Sequence, residues 1–353
     1  MIDPLRRARP HMSNRLKSEK FAPETRVSGR PFILMSVVVI GLNEEKRLKA
    51  SLEAVFSHSP RVCNLEVIYV DSGSIDRSVA IASGISGVNV LHLKGGEPSA
   101  ARARNVGLRR ARGQYVQLVD GDSVIQPGWL DKALQAMESD PGISCVFGHC
   151  VEMYPQQSVY MKVCGLDWHM APGERRLCGG NSLWRLSVIA ENGFFNENIR
   201  LGEEPELCYR VRQKGGRILC IDAPMVMHDL GMHSFGQYWK RSVDSGKAYA
   251  SIAMRFRKNT EKMWLREMLI NFVEPGAWVL LFAGSWLFMG LTPAVSIIVC
   301  WWLIRGLQIA NTLRKRKLGP GAAMMYGLHC QFARLPVAVG QLKTLFGSGS
   351  NAA

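Results

Sequence analysis

Short apolar runs of strand type alternate with helical segments through the first half of the chain, and this alternation most constrains the fold. The β-branched runs cover residues 33–40, 65–70, 88–93 and 115–119, and the segments between them carry apolar residues at helical spacing. Parallel strands joined by helices are buried on both faces, so near-continuous apolar runs are typical of them. The pattern predicts an α/β fold with a parallel, doubly wound sheet.

Two of these runs end at an aspartate, Asp71 and Asp120. Ligands of doubly wound sheets bind beyond the carboxyl ends of the strands, so both acidic loops are expected to open on one crevice. The second loop reads Asp120-Gly121-Asp122. Its glycine lets the backbone approach a ligand closely, and its carboxylates suit Mg²⁺ or Mn²⁺ beside a substrate phosphate. A surface turn is the alternative for such a pair taken alone.

A third acidic group lies further along, where Glu203, Glu204 and Glu206 fall within four residues. Carboxylates this close repel one another, so partial burial near a metal site would raise the pKa of at least one of them. A raised pKa suits a general base. The alternative is the first turn of a helix, where Glu is favoured by the helix dipole.

In this order the motifs resemble those of the inverting family 2 glycosyltransferases, which have the GT-A fold. The resemblance covers about residues 35 to 230 and rests on five segments, which are Asn43-Glu44, Asp71-Ser72-Gly73-Ser74-Ile75-Asp76, Ala103-Arg104-Asn105, Asp120-Gly121-Asp122 and Glu203-Glu204-Pro205-Glu206-Leu207-Cys208-Tyr209-Arg210. Ser72 stands where the family usually has a second Asp, and Glu204 stands where Asp is commoner. The expected fold is a GT-A domain, with a Rossmann-like doubly wound sheet, followed by a C-terminal helical membrane-associated region.

The resemblance also implies roles for single residues. Glu204 would deprotonate the acceptor hydroxyl, with Glu203 as the alternative base. Asp122 would bind the Mg²⁺ or Mn²⁺ ion that bridges the diphosphate, and His228 would be a further metal ligand, with His233 as its competitor. The nucleotide-diphosphate sugar, a UDP-sugar being favoured, would be held by a wider set comprising Asn43, Glu45, Asp71, Arg104, Asp120, Gly180 and Asn181.

The stretch 277–304 is almost wholly uncharged and contains Pro293. As one helix it would be roughly 42 Å long at about 1.5 Å per residue, longer than a hydrocarbon core of about 30 Å. Basic clusters at 255–266 and 314–317 flank it, which favours a re-entrant or hairpin pair over a single tilted span. The weaker stretch 319–346 is expected to lie in the interface or to complete a second crossing. The predicted location is the cytoplasmic face of the bacterial inner membrane.

Charge and composition complete the predicted organisation. The net charge is +15, and basic clusters beside an apolar stretch favour membrane lipids over nucleic acid as the anionic partner. Nine cysteines without a C-x-x-C pair predict reduced thiols in a cytosolic compartment. The predicted segments are a flexible basic tail (1–31), the GT-A domain (32–230), amphipathic interfacial helices (231–272), hydrophobic membrane-associated segments (273–346) and a flexible tail (347–353).

The predicted function is transfer of a sugar from a nucleotide-diphosphate donor, with inversion, to a lipid-linked or glycan acceptor in exopolysaccharide or other surface polysaccharide synthesis. Trp239, Lys240 and Arg241 are expected to line the acceptor or lipid side, or to form an interfacial helix. One alternative is a processive polysaccharide synthase, although residues 237–241 match the Q-x-x-R-W segment of such enzymes only loosely. Another is a non-catalytic membrane scaffold that retains the nucleotide pocket. A nucleotide-dependent dehydrogenase is disfavoured, because no G-x-G-x-x-G follows the first strand.

Overall fold

The computed structural model describes residues 26–27, 30–31, 33–60, 63–168, 170–314 and 319–347. Most of the two predicted tails, and residues 315–317 of the last basic cluster, lie outside these ranges. The strands are β1 (Arg26–Val27), β2 (Arg30–Pro31), β3 (Ile33–Gly41), β4 (Cys63–Asp71), β5 (Val88–His92), β6 (Tyr115–Asp120), β7 (Ser123–Ile125), β8 (Ile143–Glu152), β9 (Gly173–Arg175), β10 (Ser182–Arg185) and β11 (Arg217–His228). The helices are α1 (Leu48–Ser57), α2 (Ser78–Ser83), α3 (Ala100–Arg110), α4 (Trp129–Ser139), α5 (Val159–Gly165), α6 (Leu186–Glu191), α7 (Glu203–Gln213), α8 (Phe235–Phe256), α9 (Leu265–Met289), α10 (Leu291–Arg314), α11 (Pro320–Phe332) and α12 (Arg334–Phe346), with a 3₁₀ turn at Leu166–Trp168.

The main sheet has the strand order β5-β4-β3-β6-β10-β8-β11-β7, with β9 paired to β11. Its first four strands are parallel, as predicted. The second half is mixed, because β10 runs antiparallel to β6 and β8, and β7 runs antiparallel to β11. The parallel sheet predicted from the helix–strand alternation is therefore confined to the first half. An antiparallel strand needs no crossover helix, so the helix–strand alternation of the first half does not continue there.

The ends of the central strands bring the two acidic loops together. Gly41 of β3 pairs with Asp71 of β4, and Ile40 pairs with Asp120 of β6. The two aspartates therefore flank the carboxyl end of β3, as the sequence predicts. Helix α3 packs closely against the same strands, since a Cβ on Gly107 would lie 2.3 Å from Val38 Cγ1.

The C-terminal helices form a second layer that starts with α8. Helices α8 and α12 touch through their backbones, because a Cβ on Gly246 would lie 2.1 Å from the Val337 carbonyl oxygen, and one on Gly340 would lie 2.0 Å from that of Val243. Close approach of this kind requires glycine on both helices.

Helices α9 and α10 form an antiparallel hairpin that turns at Gly290, where φ is +85°. The turn lies three residues before Pro293, which sits in the first turn of α10, where proline is tolerated. Two helical segments, Leu265–Met289 and Leu291–Asn311, are long and apolar enough to cross a membrane. The predicted segment boundaries stay a prediction, and α9 runs continuously across the one placed at 272/273.

Candidate active site

The loop after β4 is organised by Asp71, whose side chain is buried. One carboxylate oxygen accepts hydrogen bonds from the backbone N–H groups of Gly73 (2.9 Å) and Ser74 (3.0 Å), and the Tyr69 hydroxyl donates to the other at 3.2 Å. Gly73 has a φ of +97°, which favours glycine. Asp71 thus shapes the turn that closes one side of the crevice.

Asn43 and Glu45 brace this turn from the end of β3. The backbone N–H of Asn43 donates to Ser74 Oγ (2.9 Å), and its Oδ1 accepts from the backbone of Ile75 (2.9 Å). The backbone N–H of Glu45 donates to the Asp76 carboxylate (3.0 Å), and the Glu45 carboxylate accepts a hydrogen bond from the backbone N–H of Arg77 (3.2 Å). Both predicted nucleotide-binding residues therefore reach the crevice, where they hold its wall in shape.

A second wall is built from Asp120 and the loop before β10. The Asp120 backbone N–H donates to Asn181 Oδ1 at 3.0 Å, and Asn181 Nδ2 donates to the Asp120 carboxylate at 3.3 Å. Gly180 lies beside both groups, since a Cβ there would come within 2.2 Å of Arg104 Nη2 and 3.0 Å of Asp120 Oδ2. Glycine is required at this position because the guanidinium occupies the space of a side chain.

Arg104 joins this wall to α7. Its side chain is 4% exposed, and Nη2 donates to Asp120 at 3.0 Å, while Nη1 donates to Glu203 at 3.0 Å and to Glu204 at 2.9 Å. Burial lowers the pKa of the guanidinium, but the charges of Glu204, Asp120 and Glu203 together raise it above its ordinary value. Both terminal nitrogens contact carboxylates of the protein, so Arg104 connects three of the motifs seen in the sequence.

Glu204 is the carboxylate of this group with the strongest upward shift. Burial, followed by the negative charge of Glu203, raises its pKa to about 8, although Arg104 opposes the shift. The Glu204 carboxyl therefore keeps its proton to a higher pH than an ordinary glutamate does. Glu203 and Glu204 also line a cavity of about 730 Å³ between α7 and α8.

Asp122, the residue before β7, faces His228 at the end of β11. β7 and β11 are in register with His228 opposite Ser123, which places His228 Nε2 3.2 Å from Asp122 Oδ1. Burial raises the pKa of Asp122, with His228 opposing and Asp120 adding to the shift. His233, the competing ligand of the sequence prediction, is exposed beside the start of α8.

This pair fits a divalent cation. In an octahedral site with metal–ligand distances of about 2.1 Å, neighbouring ligand atoms are about 3 Å apart. The 3.2 Å between His228 Nε2 and Asp122 Oδ1 is close to this separation. A carboxylate with an imidazole is a donor set that suits Mn²⁺, and carboxylates with water suit Mg²⁺. His228 Nδ1 is buried and lacks a hydrogen-bond partner among the described residues, so Nε2 is the nitrogen that faces the crevice.

Glu44 is a site residue that the sequence reasoning did not select. Burial, then the charge of Asp122, raises its pKa to about 7, while Arg47 opposes this by donating to its carboxylate at 2.8 Å. The side chain also lies against the Asp120-Gly121-Asp122 loop, since a Cβ on Gly121 would be 3.3 Å from Glu44 Cγ. The Asn43-Glu44 motif carries this signal, whereas Glu45, the residue predicted from the sequence, contacts the loop after β4.

Comparison with known proteins supports the same reading of the fold. The Glycosyl transferase family 2 model matches residues 36–170. The pre-mycofactocin glycosyltransferase of Mycobacterium tuberculosis is 25% identical over 266 residues, which cover 71% of this chain and 53% of the relative. Glycosyltransferase AglE of Haloferax volcanii is 24% identical over 247 residues, covering 66% of this chain and 78% of the relative. The chain thus spans about half the length of the mycobacterial relative.

Two solved structures share the architecture. The mannosyltransferase PcManGT of Pyrobaculum calidifontis, in complex with GDP-Man and Mn²⁺, has a TM-score of 0.63 at 16% identity, covering 89% of this chain and 88% of that one. TarS 1-349 of S. aureus, in complex with UDP, has a TM-score of 0.50 at 16% identity, covering 90% and 93%. The fold is that of a glycosyltransferase of the GT-A type. Residues 36–170 carry a Glycosyl transferase family 2 domain, so the family recognised in the sequence is confirmed for that part of the chain.

The contact between Gly180 and Arg104 is testable with a matched pair of glycine substitutions. Gly180→Ala should lower the free energy of unfolding by about 1–3 kcal/mol, because the added methyl displaces the guanidinium from its carboxylates. Gly179→Ala, where a Cβ meets nothing within 4 Å, should change it by about 0.5 kcal/mol or less. Denaturant unfolding measures both, and equal effects would contradict the packing described.

Proposed function

We propose that this chain transfers a sugar from a nucleotide-diphosphate donor, with inversion, to a lipid-linked acceptor presented at a membrane surface. The observation that carries the proposal is a continuous chain of contacts that starts at the Asp122–His228 pair and ends at Glu204. It passes through Ser123 and Asn181 to Asp120, and from there through Arg104. A metal-binding pair and a carboxyl with a raised pKa are thereby held at two ends of one rigid network. Such a separation suits a reaction in which a diphosphate leaves on one side of the sugar and a hydroxyl attacks from the other.

On the donor side, Asp122 and His228 would hold the divalent cation, which supplies charge to offset the leaving diphosphate. Asp71 and its braced turn would receive the nucleoside, and the Gly180-Asn181 segment would lie along the sugar. Of the neighbours with this fold, one was solved with GDP-Man and Mn²⁺ and another with UDP, which supports a nucleotide donor. We favour a UDP-sugar. Arg104 acts here as a positioning residue, since its terminal nitrogens already contact protein carboxylates.

A screen of UDP- and GDP-sugars with Mn²⁺ or Mg²⁺ tests the donor site. A fitting donor should raise the melting temperature only when the cation is present, because a ligand of the native state stabilises it in proportion to affinity. Asp122→Asn should weaken the cation-dependent binding by tenfold or more, roughly the effect expected for a metal ligand. The control is Asp131→Asn, an exposed carboxylate in the first turn of α4, which should bind as the unmodified protein does. Cation-dependent binding that survives Asp122→Asn would refute the assignment.

On the acceptor side, Glu204 would take the proton of the attacking hydroxyl. It must first be ionised, and its pKa of about 8 makes it a stronger base than an ordinary carboxylate once it is. Arg104 then stabilises the ionised form at 2.9 Å. Glu203 shares the same nitrogen of Arg104 and contributes chiefly its negative charge, which raises the pKa of its neighbour.

The pH dependence of transfer follows from this arrangement. With donor and cation saturating, kcat/KM should rise with pH up to about 8, because only the ionised base is active. Glu203→Gln removes a neighbouring negative charge, so the rising limb should move to lower pH. Glu204→Gln should reduce transfer by about 10²- to 10⁴-fold while donor binding persists. An unmoved limb in Glu203→Gln, or full activity in Glu204→Gln, would contradict the assignment.

The cavity beside Glu204 supports an anionic, lipid-linked acceptor. Lys240 and Arg241 of α8 line it, and Lys240 is paired with Asp244 at 3.1 Å. Arg241 is exposed and takes part in no ion pair found among the described residues, so its charge is available to a ligand phosphate. The apolar part of the lining suits a prenyl chain and comprises Leu177, Leu201, Leu230, Met232 and Trp264.

Binding of farnesyl diphosphate, a soluble prenyl diphosphate, tests this acceptor site. Titration calorimetry in EDTA prevents the diphosphate from binding through a metal. Arg241→Ala should weaken binding about tenfold, since a hydrogen bond to a charged group contributes about 1.5–3 kcal/mol. Arg110→Ala, which removes an exposed arginine of α3 that does not line the cavity, should leave it unchanged. Equal affinities of the two variants would refute the role of Arg241.

A further inference from the structure

Three charged side chains join the helices at the base of the α9–α10 hairpin. Glu274 of α9 accepts a hydrogen bond from Arg305 of α10 at 2.8 Å, and its second oxygen accepts one from Arg334, the first residue of α12. We call these three residues the charged collar. Because α12 packs along α8, which follows the GT-A sheet directly, the collar lies on the side of the catalytic domain.

The two arms between the collar and the turn are short. The segments 275–289 and 291–304 contain 15 and 14 residues, and neither contains a charged residue. At about 1.5 Å per residue they extend roughly 22 Å and 21 Å. The hydrocarbon core of a bilayer is about 30 Å thick, and any tilt shortens the reach further. Each whole helix is long enough to cross the membrane, but the uncharged arm between the collar and the turn is too short to do so.

The surface of the hairpin is divided between its two ends. Among the apolar side chains of the hairpin, the two most exposed lie at the turn, where Leu287 is 82% and Phe288 is 90% exposed. The segment that leads into α9 carries a set of exposed basic residues outside the ion pairs of the described residues, namely Arg255, Arg257, Lys258, Lys262 and Arg266. An apolar tip requires hydrocarbon around it, while clustered cations at its base match anionic lipid headgroups.

We propose that α9 and α10 form a re-entrant hairpin that enters an anionic leaflet from the side of the catalytic domain and ends inside the bilayer. The partner is a lipid surface rich in anionic headgroups, with the collar at the headgroup level. The inference rests on the membrane attachment in the proposed function. A complete crossing would draw the collar into hydrocarbon, where charged side chains are costly. It would also bring Val273 and Leu307, which are exposed on the domain side of the collar, into the membrane.

Thiol labelling at the turn tests the depth of insertion. The full chain carrying Phe288→Cys is reconstituted into sealed vesicles of phosphatidylethanolamine and phosphatidylglycerol. A membrane-impermeant maleimide is supplied outside or trapped inside, and the labelled peptide is located by mass spectrometry, so that the native cysteines are scored separately. Position 288 should be labelled from neither side and should react after detergent is added. The control Lys258→Cys, exposed before α9, should be labelled from the side of the catalytic domain alone.

Each other result overturns the proposal. Labelling of position 288 from the side opposite the catalytic domain would show a full crossing, and labelling from the same side would show a hairpin that is not inserted. The amount of protein that floats with these anionic vesicles should exceed the amount that floats with pure phosphatidylcholine vesicles by about tenfold or more. Equal amounts would refute the preference for an anionic leaflet. These measurements do not use sugar transfer, so failure of the catalytic assignment would leave them interpretable.

Discussion

The site depends on one buried guanidinium shared by three carboxylates. Arg104 comes from α3, Asp120 from the end of β6, and Glu203 and Glu204 from the start of α7, so a single side chain fixes the relative positions of three elements far apart in sequence. A buried cation without partners would be very unfavourable, and three close carboxylates without a cation would repel one another. Each group therefore makes the burial of the others possible.

This network also explains why the carboxylates differ in chemistry. Asp120 is fixed as a wall of the crevice by its hydrogen bonds with Asn181 and Arg104. Burial, followed by the negative charge of Glu203 on the same cation, raises the pKa of Glu204, so Glu204 binds its proton more tightly than an ordinary glutamate does. The same arginine thus holds one acidic side chain in place and leaves another able to exchange a proton near neutral pH.

Much of the fold and of the site could be predicted from local signals. The β-branched runs and the aspartates at their ends identified the parallel half of the sheet and its crevice, because both signals lie within a few residues. The mixed half could not be predicted, since β10 and β7 are short and take their direction from long-range pairing. The burial of Arg104 and the approach of Glu44 to Asp122 also depend on contacts between distant segments. Sequence motifs identify the candidate residues, and tertiary structure determines which of them touch.

The backbone contact between α8 and α12 has a mechanical consequence. Because a carbonyl of each helix occupies the place of a side chain on the other, the pair can neither slide nor roll without a steric clash at Gly246 or Gly340. Arg241 lies near one end of this stiff pair and Arg334 at the other helix's start. The two helices therefore hold Arg334 of the charged collar in a fixed position relative to Arg241, which lines the cavity beside Glu204.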